Sequence, residues 1–434
     1  MRDFPFATSF WFGTDIETAS CLEGQQIVDV AVIGGGFAGL SVAYHLKQSN
    51  ADVRIAIVEA KHVGYGASGR NAGWLMSMPP LVWMLDNFND PQRLDDIRWT
   101  AQFCRNNIAE LSQFVEREGV DCDWTPTHHT LVARNPLEVA TLRWIAPRFE
   151  AVGLDCTYYE KKQAQQFVGY SATSALTYDI VTIQPYKLAR GLRQWLIQQG
   201  VDLYENTRIA YIESTKHDIR LATTQGASLT AEKVIVATNA YTNSIDLGIA
   251  TPSASIYHTY MLATEPLRQD LLDRISETQT PFGDPSISFY IGRIHQHRLL
   301  FNGIDRASQN TPADDQHLPS FVKLYTEMLR RFPFLKSTPI AIAWGGAVQQ
   351  NSTEAPIVRP TAHNPNIILN MGYGGGSGVG MALLSGRLTT DLVLNHATKD
   401  SEAKRLRGLY DASHFSVLGP VRAATGVLKT LLCR

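Results

Sequence analysis

Apolar and polar residues alternate along the chain in a way that predicts short buried strands separated by longer helices. Residues 28–33 (VDVAVI) predict a buried strand, and residues 37–49 predict a helix because their apolar positions recur at helical spacing. Residues 53–59 (VRIAIVE) predict a second strand, which ends at Glu59. This order of elements is typical of the start of a parallel α/β domain.

Three further segments carry the apolar period of amphipathic helices. They span residues 94–119, 136–153 and 184–200. The last segment has Pro185 near its start and Gly200 at its expected C-terminal cap, and this order favours a helix between the two.

More strands are predicted in the second half of the chain. Residues 201–214 and 227–240 alternate between apolar and polar positions and are expected to return to the first domain. Residues 286–303 predict a hairpin with the sequence HQH at its tip.

The loop between the first strand and the first helix carries three glycines at the spacing that is typical of dinucleotide-binding loops. Gly34 permits the tight turn, Gly36 lets a pyrophosphate approach the backbone, and Gly39 lets the helix pack closely on the strand. The N-terminus of the helix supplies N–H groups and the positive end of its dipole. Glu59 lies at the distance expected for an acid that binds ribose hydroxyls, and its charge disfavours the 2′-phosphate of NADP. The sequence therefore predicts a site for an ADP-containing dinucleotide.

Two more glycine-rich segments indicate where the rest of such a cofactor lies. Residues 64–76 surround Arg70 and Asn71 with small residues that can lie flat against a planar ring. Residues 367–371 predict a strand that runs into the glycines of 372–380, and a helix with one apolar face follows. This segment predicts a second backbone cradle for an electron-rich group.

These segments together resemble the D-amino-acid oxidase superfamily of FAD-dependent oxidoreductases, and within it the gamma-glutamylputrescine oxidoreductase and glycine oxidase branch. The resemblance is carried by the first glycine loop with Glu59, by GASGRNAG at 66–73 and by GYGGGSGVG at 372–380. Further matching segments are SFWFGT at 9–14, VIVATNAYTN at 234–243, YMLATEPL at 260–267 and AWGGAVQQNSTEAPIVRP at 343–360.

The resemblance implies one FAD molecule bound in an extended form. Its adenine would lie near Glu59 and Ile209, its pyrophosphate at residues 34–39, and its ring system between residues 67–73 and 372–378. The cofactor-binding residues that it implies are Gly34, Gly36, Phe37, Ala38, Gly39, Glu59, Ala60, Lys61, Gly66, Ala67, Ser68, Gly69, Arg70, Asn71, Gly73, Trp74, Ile209, Ala237, Thr238, Asn239, Gly372, Gly374, Gly375, Gly376, Ser377 and Gly378.

Some relatives attach the flavin covalently through a cysteine or a histidine. Here the segments 343–350 and 372–378 contain no cysteine, and the segment 66–73 contains no histidine. We therefore expect a non-covalent cofactor.

The expected fold class is α/β, with a Rossmann-like FAD-binding domain and a discontinuous α+β substrate domain built on a mixed or antiparallel sheet. The FAD-binding domain is expected to comprise residues 25–90, 182–250 and 340–395. The substrate domain is expected to comprise residues 91–181 and 251–339. Residues 1–24 would form an N-terminal extension, and residues 396–434 a helical tail.

Four side chains are candidates for contact with the substrate or the flavin ring. Arg293 in the predicted hairpin can hold a substrate carboxylate through paired hydrogen bonds. Tyr260 lies on a strand expected to cover the flavin. Trp344 and Tyr373 occupy positions that lie beside the ring in relatives. No metal is expected, because the His-x-His of the hairpin has no third ligand near it in sequence.

Composition narrows the partners and the compartment. The net charge of −2 and the lack of a basic run give no electrostatic reason to bind nucleic acid. The five cysteines are scattered, which favours a reducing, cytoplasmic location. The N-terminus lacks the apolar stretch of a secretory signal.

The predicted function is oxidation of the C–N bond of an amine or amino acid to an imine, by hydride transfer to flavin. The sequence does not decide whether oxygen, a quinone or another electron acceptor reoxidises the flavin. The alternative is a membrane-surface flavin dehydrogenase of amino or hydroxy acids that passes electrons to quinone. It depends on residues 415–434, which we expect to dock on the protein itself rather than in a membrane interface.

Overall fold

The structure is a computed structural model that describes residues 4–14, 16–88, 90–214, 218–248, 254–285, 290–308, 311, 313–351, 354–394 and 401–411. Within these ranges the α-helices are α1 (Phe37–Ser49), α2 (Leu81–Asn87), α3 (Leu94–Arg117), α4 (Pro136–Ala151), α5 (Lys161–Ala164), α6 (Pro185–Gln198), α7 (Gln269–Ile275), α8 (Leu318–Arg331), α9 (Gly378–Val393) and α10 (Ser401–Asp411). The strands are β1 (Gln25–Ile33), β2 (Ile55–Val58), β3 (Trp74–Met76), β4 (Thr125–Ala133), β5 (Cys156–Glu160), β6 (Ser174–Thr182), β7 (Asp202–Tyr204), β8 (Ile209–Ser214), β9 (Ile219–Thr223), β10 (Ser228–Val236), β11 (Ser255–Thr264), β12 (Phe282–Gly283), β13 (Ile291–His295), β14 (Arg298–Ala307), β15 (Ile340–Gln350), β16 (Ile357–Pro360) and β17 (Ile367–Met371).

The first sheet has the strand order β16-β17-β10-β1-β2-β7, and β9 and β8 extend it from β10. Its central strands are parallel, and Ile33 at the end of β1 lies opposite Val58 of β2 and Val236 of β10. The carboxyl ends of these strands therefore meet at one edge, where α/β proteins bind their ligands.

Both faces of β1 are buried, which explains its almost continuous apolar sequence. Val30 and Val32 pack with α1 and α6, whereas Ala31 and Ile33 pack with β8 and β9. Helix α1 also packs against α9, so the elements that follow the two glycine loops lie side by side.

The second sheet has the order β15-β11-β14-β13-β12-β4-β6-β3, with β5 added to β6. Its pairs are antiparallel except for β12 and β4, which are parallel. One face packs on α8 through an aromatic and aliphatic core that includes Tyr260, Phe301 and Phe321. The predicted fold class, a Rossmann-like domain with a mixed second sheet, is confirmed.

Several predicted elements have the expected bounds. Helix α1 and strand β17 begin and end where the apolar pattern predicted, and Gly200 adopts φ of 73° after α6, as its role of C-terminal cap requires. The hairpin turn is also confirmed, because Gln296 and His297 both have positive φ between the paired residues His295 and Arg298.

The strand pairing differs from the predicted domain boundaries at two places. The predicted FAD-binding segments 25–90 and 340–395 each contribute a strand to the second sheet. Strand β3 pairs with β6, and β15 pairs with β11 along its whole length. An apolar alternation identifies a strand but leaves its partner open, because the pairing depends on residues distant in the chain.

The N-terminal residues pack on the body of the protein, with Phe6 bridged to Ala343 of β15. Helix α10 lies in the predicted tail, whereas residues 412–434 lie outside the described residues. Among the described helices, none combines the length and the apolar character needed to cross a membrane.

Candidate active site

A cavity of about 1350 Å³ is lined by residues of both sheets. At one end it is bounded by the carboxyl ends of β1 and β2 and by the N-terminus of α1. At the other end it is bounded by residues of β3, β4, β6, β11 and β13. A cavity of this size and place fits a dinucleotide and a small organic molecule together.

The first glycine loop is shaped as a cradle at the N-terminus of α1. Gly34 has φ of 109°, and a Cβ there would lie 2.7 Å from the carbonyl oxygen of Ala237. A Cβ at Gly39 would lie 2.0 Å from the carbonyl oxygen of Gly34. Only glycine at these positions allows the helix to approach the strand so closely. The N-terminus of α1 lines the cavity, and the N–H of Phe37 donates to the hydroxyl of Ser68 at 2.8 Å.

Glu59 lies at the end of β2 and lines the same end of the cavity. Its carboxylate accepts hydrogen bonds from the N–H groups of Gly35 at 2.8 Å and Lys61 at 2.9 Å. Burial raises the pKa of this carboxyl, and the two backbone bonds act against the rise. The acid is therefore held in a fixed place beside the cradle.

A buried ion pair supports the loop that follows Glu59. Glu205 is fully buried, and its carboxylate accepts a hydrogen bond from the N–H of Val63 at 2.6 Å and pairs with Arg193 of α6 at 3.0 Å. Sequence reasoning missed this pair. The available signal was the position of Glu205 directly after β7, at the same sheet edge as Glu59.

Arg70 lines the cavity from the loop before β3. Its guanidinium donates to the carbonyl oxygens of Tyr65 and Gly345 and pairs with Asp315 at 3.0 Å. The remaining nitrogen, Nη2, is buried without a hydrogen-bond partner among the described residues. Such a donor at the cavity wall fits an electron-rich group of a bound cofactor.

Asp315 connects Arg70 to His258, whose Nε2 lies 3.1 Å from the second carboxylate oxygen. Burial acts to raise the pKa of Asp315, but the hydrogen bonds and charges of His258 and Arg70 outweigh it, so the pKa lies below its usual value. Asp315 is therefore an anion that offsets the charge of Arg70.

The N-terminal segment holds the loop of Arg70 from outside. The hydroxyl of Ser9 donates to the carbonyl oxygen of Gly69 at 2.6 Å, and the indole N–H of Trp11 donates to the carbonyl oxygen of Asn71 at 2.7 Å. The side chain of Asn71 also accepts a hydrogen bond from the N–H of Gly73. The family resemblance of residues 9–14 (SFWFGT) indicated that this segment is important, but the sequence does not show which residues it contacts.

The second glycine loop closes the opposite wall of the cavity. Gly372 has φ of 90° and donates its N–H to Asn239 at 3.0 Å, and a Cβ at Gly374 would lie 2.3 Å from the Gln350 side chain. The hydroxyl of Ser377 is buried without a partner among the described residues, directly before α9. Together with the first cradle, this loop fits a cofactor that spans both segments.

The family model described as FAD dependent oxidoreductase (DAO) matches residues 29–392. The chain belongs to this family. FAD is therefore its cofactor, and its activity is that of an oxidoreductase.

Similar proteins carry names that agree with this family. The chain is 28% identical to gamma-glutamylputrescine oxidoreductase of Escherichia coli over 86% of this chain and 84% of that protein. The crystal structure of glycine oxidase from Geobacillus kaustophilus superimposes with a TM-score of 0.70 and 19% identity. The match covers 90% of this chain and 100% of the glycine oxidase chain. The structure of L-amino acid deaminase from Proteus vulgaris superimposes with a TM-score of 0.70 and 17% identity. The match covers 91% of this chain and 99% of the deaminase chain.

Most of the residues predicted to bind FAD line the cavity. They are Gly34, Gly36, Phe37, Ala38, Glu59, Ala60, Lys61, Gly66, Ala67, Ser68, Arg70, Asn71, Trp74, Ile209, Ala237, Thr238, Asn239, Gly375, Gly376, Ser377 and Gly378. The remaining predicted glycines shape the loops from behind instead of lining the cavity; these are Gly39, Gly69, Gly73, Gly372 and Gly374.

Arg293 is not placed where the sequence prediction put it. The side chain is buried behind the loop of residues 70–74, and one nitrogen donates to the carbonyl oxygens of Ala72, Gly73 and Ile183 at 3.2, 3.1 and 2.8 Å. Burial lowers its pKa to about 10. Arg293 thus holds the backbone and does not line the cavity.

Of the three predicted aromatic side chains, only Tyr373 lines the cavity. Tyr260 points to the other face of its strand, because Tyr257, Thr259 and Met261 take the face towards the cavity. Trp344 packs behind the loop and donates its indole N–H to the carbonyl oxygen of Arg70 at 3.0 Å. In the described part of the chain, no three His, Cys, Asp or Glu side chains cluster as metal ligands would.

Proposed function

We propose that this FAD-dependent oxidoreductase oxidises the C–N bond of an amine or amino acid. The observation that supports the proposal is the continuity of one cavity, which runs from the dinucleotide cradle to a separate lobe under the second sheet. The sequence contains one dinucleotide fingerprint, so the organic substrate itself is the reductant of the flavin. The names of the similar proteins refer to an amine or to amino acids, which agrees with this substrate class.

The residues around the cavity have the chemistry to hold FAD. The N-terminus of α1 would hold the pyrophosphate, Glu59 the ribose, and residues 67–71 and 375–378 the ring system. When bound, FAD supplies a two-electron acceptor that takes a hydride from the carbon next to the nitrogen. Neither cysteine nor histidine is among the described residues that line the cavity, which supports a non-covalent cofactor.

The protein's own role is to orient the substrate and to exclude water. As the carbon loses a hydride, the lone pair of the neutral amine forms the C=N bond, so the step needs no general base. Water then hydrolyses the product to a carbonyl compound and ammonia or a smaller amine. Apart from Arg70 and Glu354, the described side chains that line the substrate part of the cavity are neutral.

The electron acceptor and the location belong to the same proposal. Oxygen or a quinone would complete the cycle by taking two electrons from the reduced flavin. The described cysteines Cys21, Cys104, Cys122 and Cys156 are free thiols, which supports a reducing compartment such as the cytoplasm.

An anaerobic screen tests the proposed function. The purified holoprotein is mixed with amines, amino acids and hydroxy acids, and loss of the flavin absorbance at about 450 nm is followed. We expect amines or amino acids to bleach the flavin, and admission of air or a quinone to restore it. Bleaching by hydroxy acids, with none by any nitrogen compound, would contradict the proposal.

A further inference from the structure

The part of the cavity between the second sheet and α4, called the lobe below, has an almost entirely apolar wall. Its wall comes from α4, β4, β13 and the segment around β3, and it consists of Met76, Met78, Leu131, Ile145, Phe149 and Ile291. Each of these side chains is at most 8% exposed, so the lobe is a shielded site and not a surface groove.

This lobe begins directly at the second glycine loop. A Cβ at Gly376 would lie 3.2 Å from the sulfur and the methyl carbon of Met76, and one at Gly380 would lie 2.9 Å from the carbonyl oxygen of Met76. A molecule in the lobe is therefore next to the loop that is expected to hold the flavin ring. The position fits the part of the substrate that extends beyond the reacting carbon.

Tyr178 is a polar residue in the wall of the lobe, and it carries no charge. The hydroxyl of Tyr178 lies 2.6 Å from Nδ1 of His129. Burial lowers the pKa of His129 to about 3 and raises the pKa of Tyr178, so both groups stay neutral at physiological pH. Neither group offers a charge to a substrate.

The basic side chains that line the cavity in the described structure are Lys61, Arg70 and Arg208. Lys61 follows Glu59, and Arg208 precedes Ile209, so both lie at the adenosine end. Arg70 has its charge offset by Asp315 at 3.0 Å and keeps one free nitrogen, not the fork that binds a carboxylate by two hydrogen bonds.

A carboxylate on the reacting carbon would therefore meet, among the described residues of this part of the cavity, no cation with a free two-nitrogen fork. Burial of a carboxylate is unfavourable when no such partner compensates its charge. The polar part of the substrate wall instead carries an acid, Glu354, to which Gln350 donates at 3.0 Å while accepting from Tyr257. Negative charge on this wall favours an amine over an acid.

We propose that the substrate is an amine with a large apolar substituent, aryl or alkyl, and without a carboxylate on the reacting carbon. The inference rests on the proposed function, since it specifies the amine that the same site oxidises. The flexible thioethers of Met76 and Met78 and the ring of Phe149 would surround the apolar group.

Matched compounds test the inference on the wild-type holoprotein. 2-Phenylethylamine and phenylalanine differ by the carboxylate, and ethylamine lacks the apolar group. The rate of anaerobic flavin reduction is measured against the concentration of each compound, which gives a limiting rate and an apparent Kd. We expect 2-phenylethylamine to have an apparent Kd at least tenfold below that of ethylamine and of both enantiomers of phenylalanine.

The possible failures can be told apart. Equal or tighter binding and faster reduction with phenylalanine would overturn this inference alone and leave C–N oxidation in place. Preference for ethylamine over 2-phenylethylamine would do the same. Reduction by hydroxy acids and by no nitrogen compound would overturn the proposed function, and the inference with it.

A pair of methionine variants places the apolar group in the lobe. We expect Met78→Ala to raise the apparent Kd of 2-phenylethylamine about tenfold and that of ethylamine by a much smaller factor. Met328→Ala is the control, because Met328 is fully buried in the core below the second sheet and does not line the cavity. Equal effects of the two variants on 2-phenylethylamine would overturn the placement.

Discussion

Arg293 has a guanidinium nitrogen that is shared among three backbone carbonyls from two segments, residues 72–73 and Ile183. The same charge lies 5.5 Å from the ring centre of Trp11. A cation buried in this way stabilises the loop that carries Arg70 and is no longer available to a ligand.

Replacement of Arg293 by methionine removes a hydrogen-bond donor from the carbonyl oxygens of Ala72, Gly73 and Ile183, of which Gly73 keeps the N–H of Ile183 as a donor. We expect Arg293→Met to lower the free energy of unfolding by about 3–5 kcal/mol and to reduce the FAD content of the purified protein. Urea unfolding and the flavin-to-protein absorbance ratio measure the two effects. Arg298→Met is the control on the next strand, and its partly exposed pair with Glu265 predicts a loss of at most about 1 kcal/mol. An unchanged stability, with a higher KM for amino acids only, would restore the role of carboxylate clamp.

Glycine 36 permits a prediction that separates cofactor binding from folding. Its φ of −81° suits any residue, and a Cβ there would lie 3.0 Å from the hydroxyl of Ser68 at the cavity wall. We expect Gly36→Ala to fold normally but to weaken FAD binding by about 1–3 kcal/mol, because the added methyl group occupies the cradle. Titration of apoprotein with FAD by flavin fluorescence measures the change.

The control for that variant is Gly13→Ala, since a Cβ at Gly13 would have no heavy atom within 4 Å. It is expected to bind FAD with wild-type affinity. If Gly36→Ala also binds FAD with wild-type affinity, the backbone approach of the pyrophosphate at Gly36 is wrong.

At the scale of elements, local patterns were sufficient where the determining residues are neighbours in sequence. The bounds of α1 follow from the glycines before it and its apolar period, and the turn at Gln296 and His297 follows from the strands on either side. The same patterns could not predict the face of Tyr260 or the partner of β15. The contacts of Arg293 with Ile183 and of Arg70 with Asp315 join residues 110 and 245 positions apart, and no local pattern contains such pairs.

The N-terminal segment is an element whose importance can be tested. Trp11 is 3% exposed, and its indole N–H is the donor to the carbonyl oxygen of Asn71. We expect Trp11→Phe to keep the packing largely intact, to destabilise the protein by about 1–2 kcal/mol, and to increase the rate of FAD loss because the loop of Arg70 and Asn71 is less firmly held. The control is Phe10→Leu, which removes no hydrogen bond.

Dilution of the holoprotein into an excess of a competing flavin binder gives the rate of FAD release. A Trp11→Phe variant that releases FAD no faster than the wild type and Phe10→Leu would contradict the proposed support of the loop by the N-terminal segment.

On the scale of the whole molecule, the free energy of unfolding between pH 7 and pH 5 depends on the buried His129. His129 is fully buried, and burial lowers its pKa from 6.5 to about 3. Below pH 6.5 the unfolded chain binds a proton at His129, whereas the side chain stays neutral in the folded protein. The contribution of His129 to the free energy of unfolding is therefore fully present above pH 6.5 and decreases as the pH falls below it. Buried carboxylates with a lowered pKa, such as Asp315, lose their contribution only at still lower pH.

We expect the wild-type protein to lose about 2 kcal/mol of its free energy of unfolding through His129 alone between pH 7 and pH 5. Replacement His129→Asn keeps a polar atom near the hydroxyl of Tyr178 and removes the titration, so its stability should vary less with pH by that amount even if it is lower overall. Urea unfolding of both proteins at several pH values gives the two slopes. His128→Asn is the matched control, because the neighbouring side chain is exposed and pairs with Asp179 at the surface. If His129→Asn and the wild type have the same slope, the pH dependence arises elsewhere, and the pKa assigned to this buried histidine is wrong.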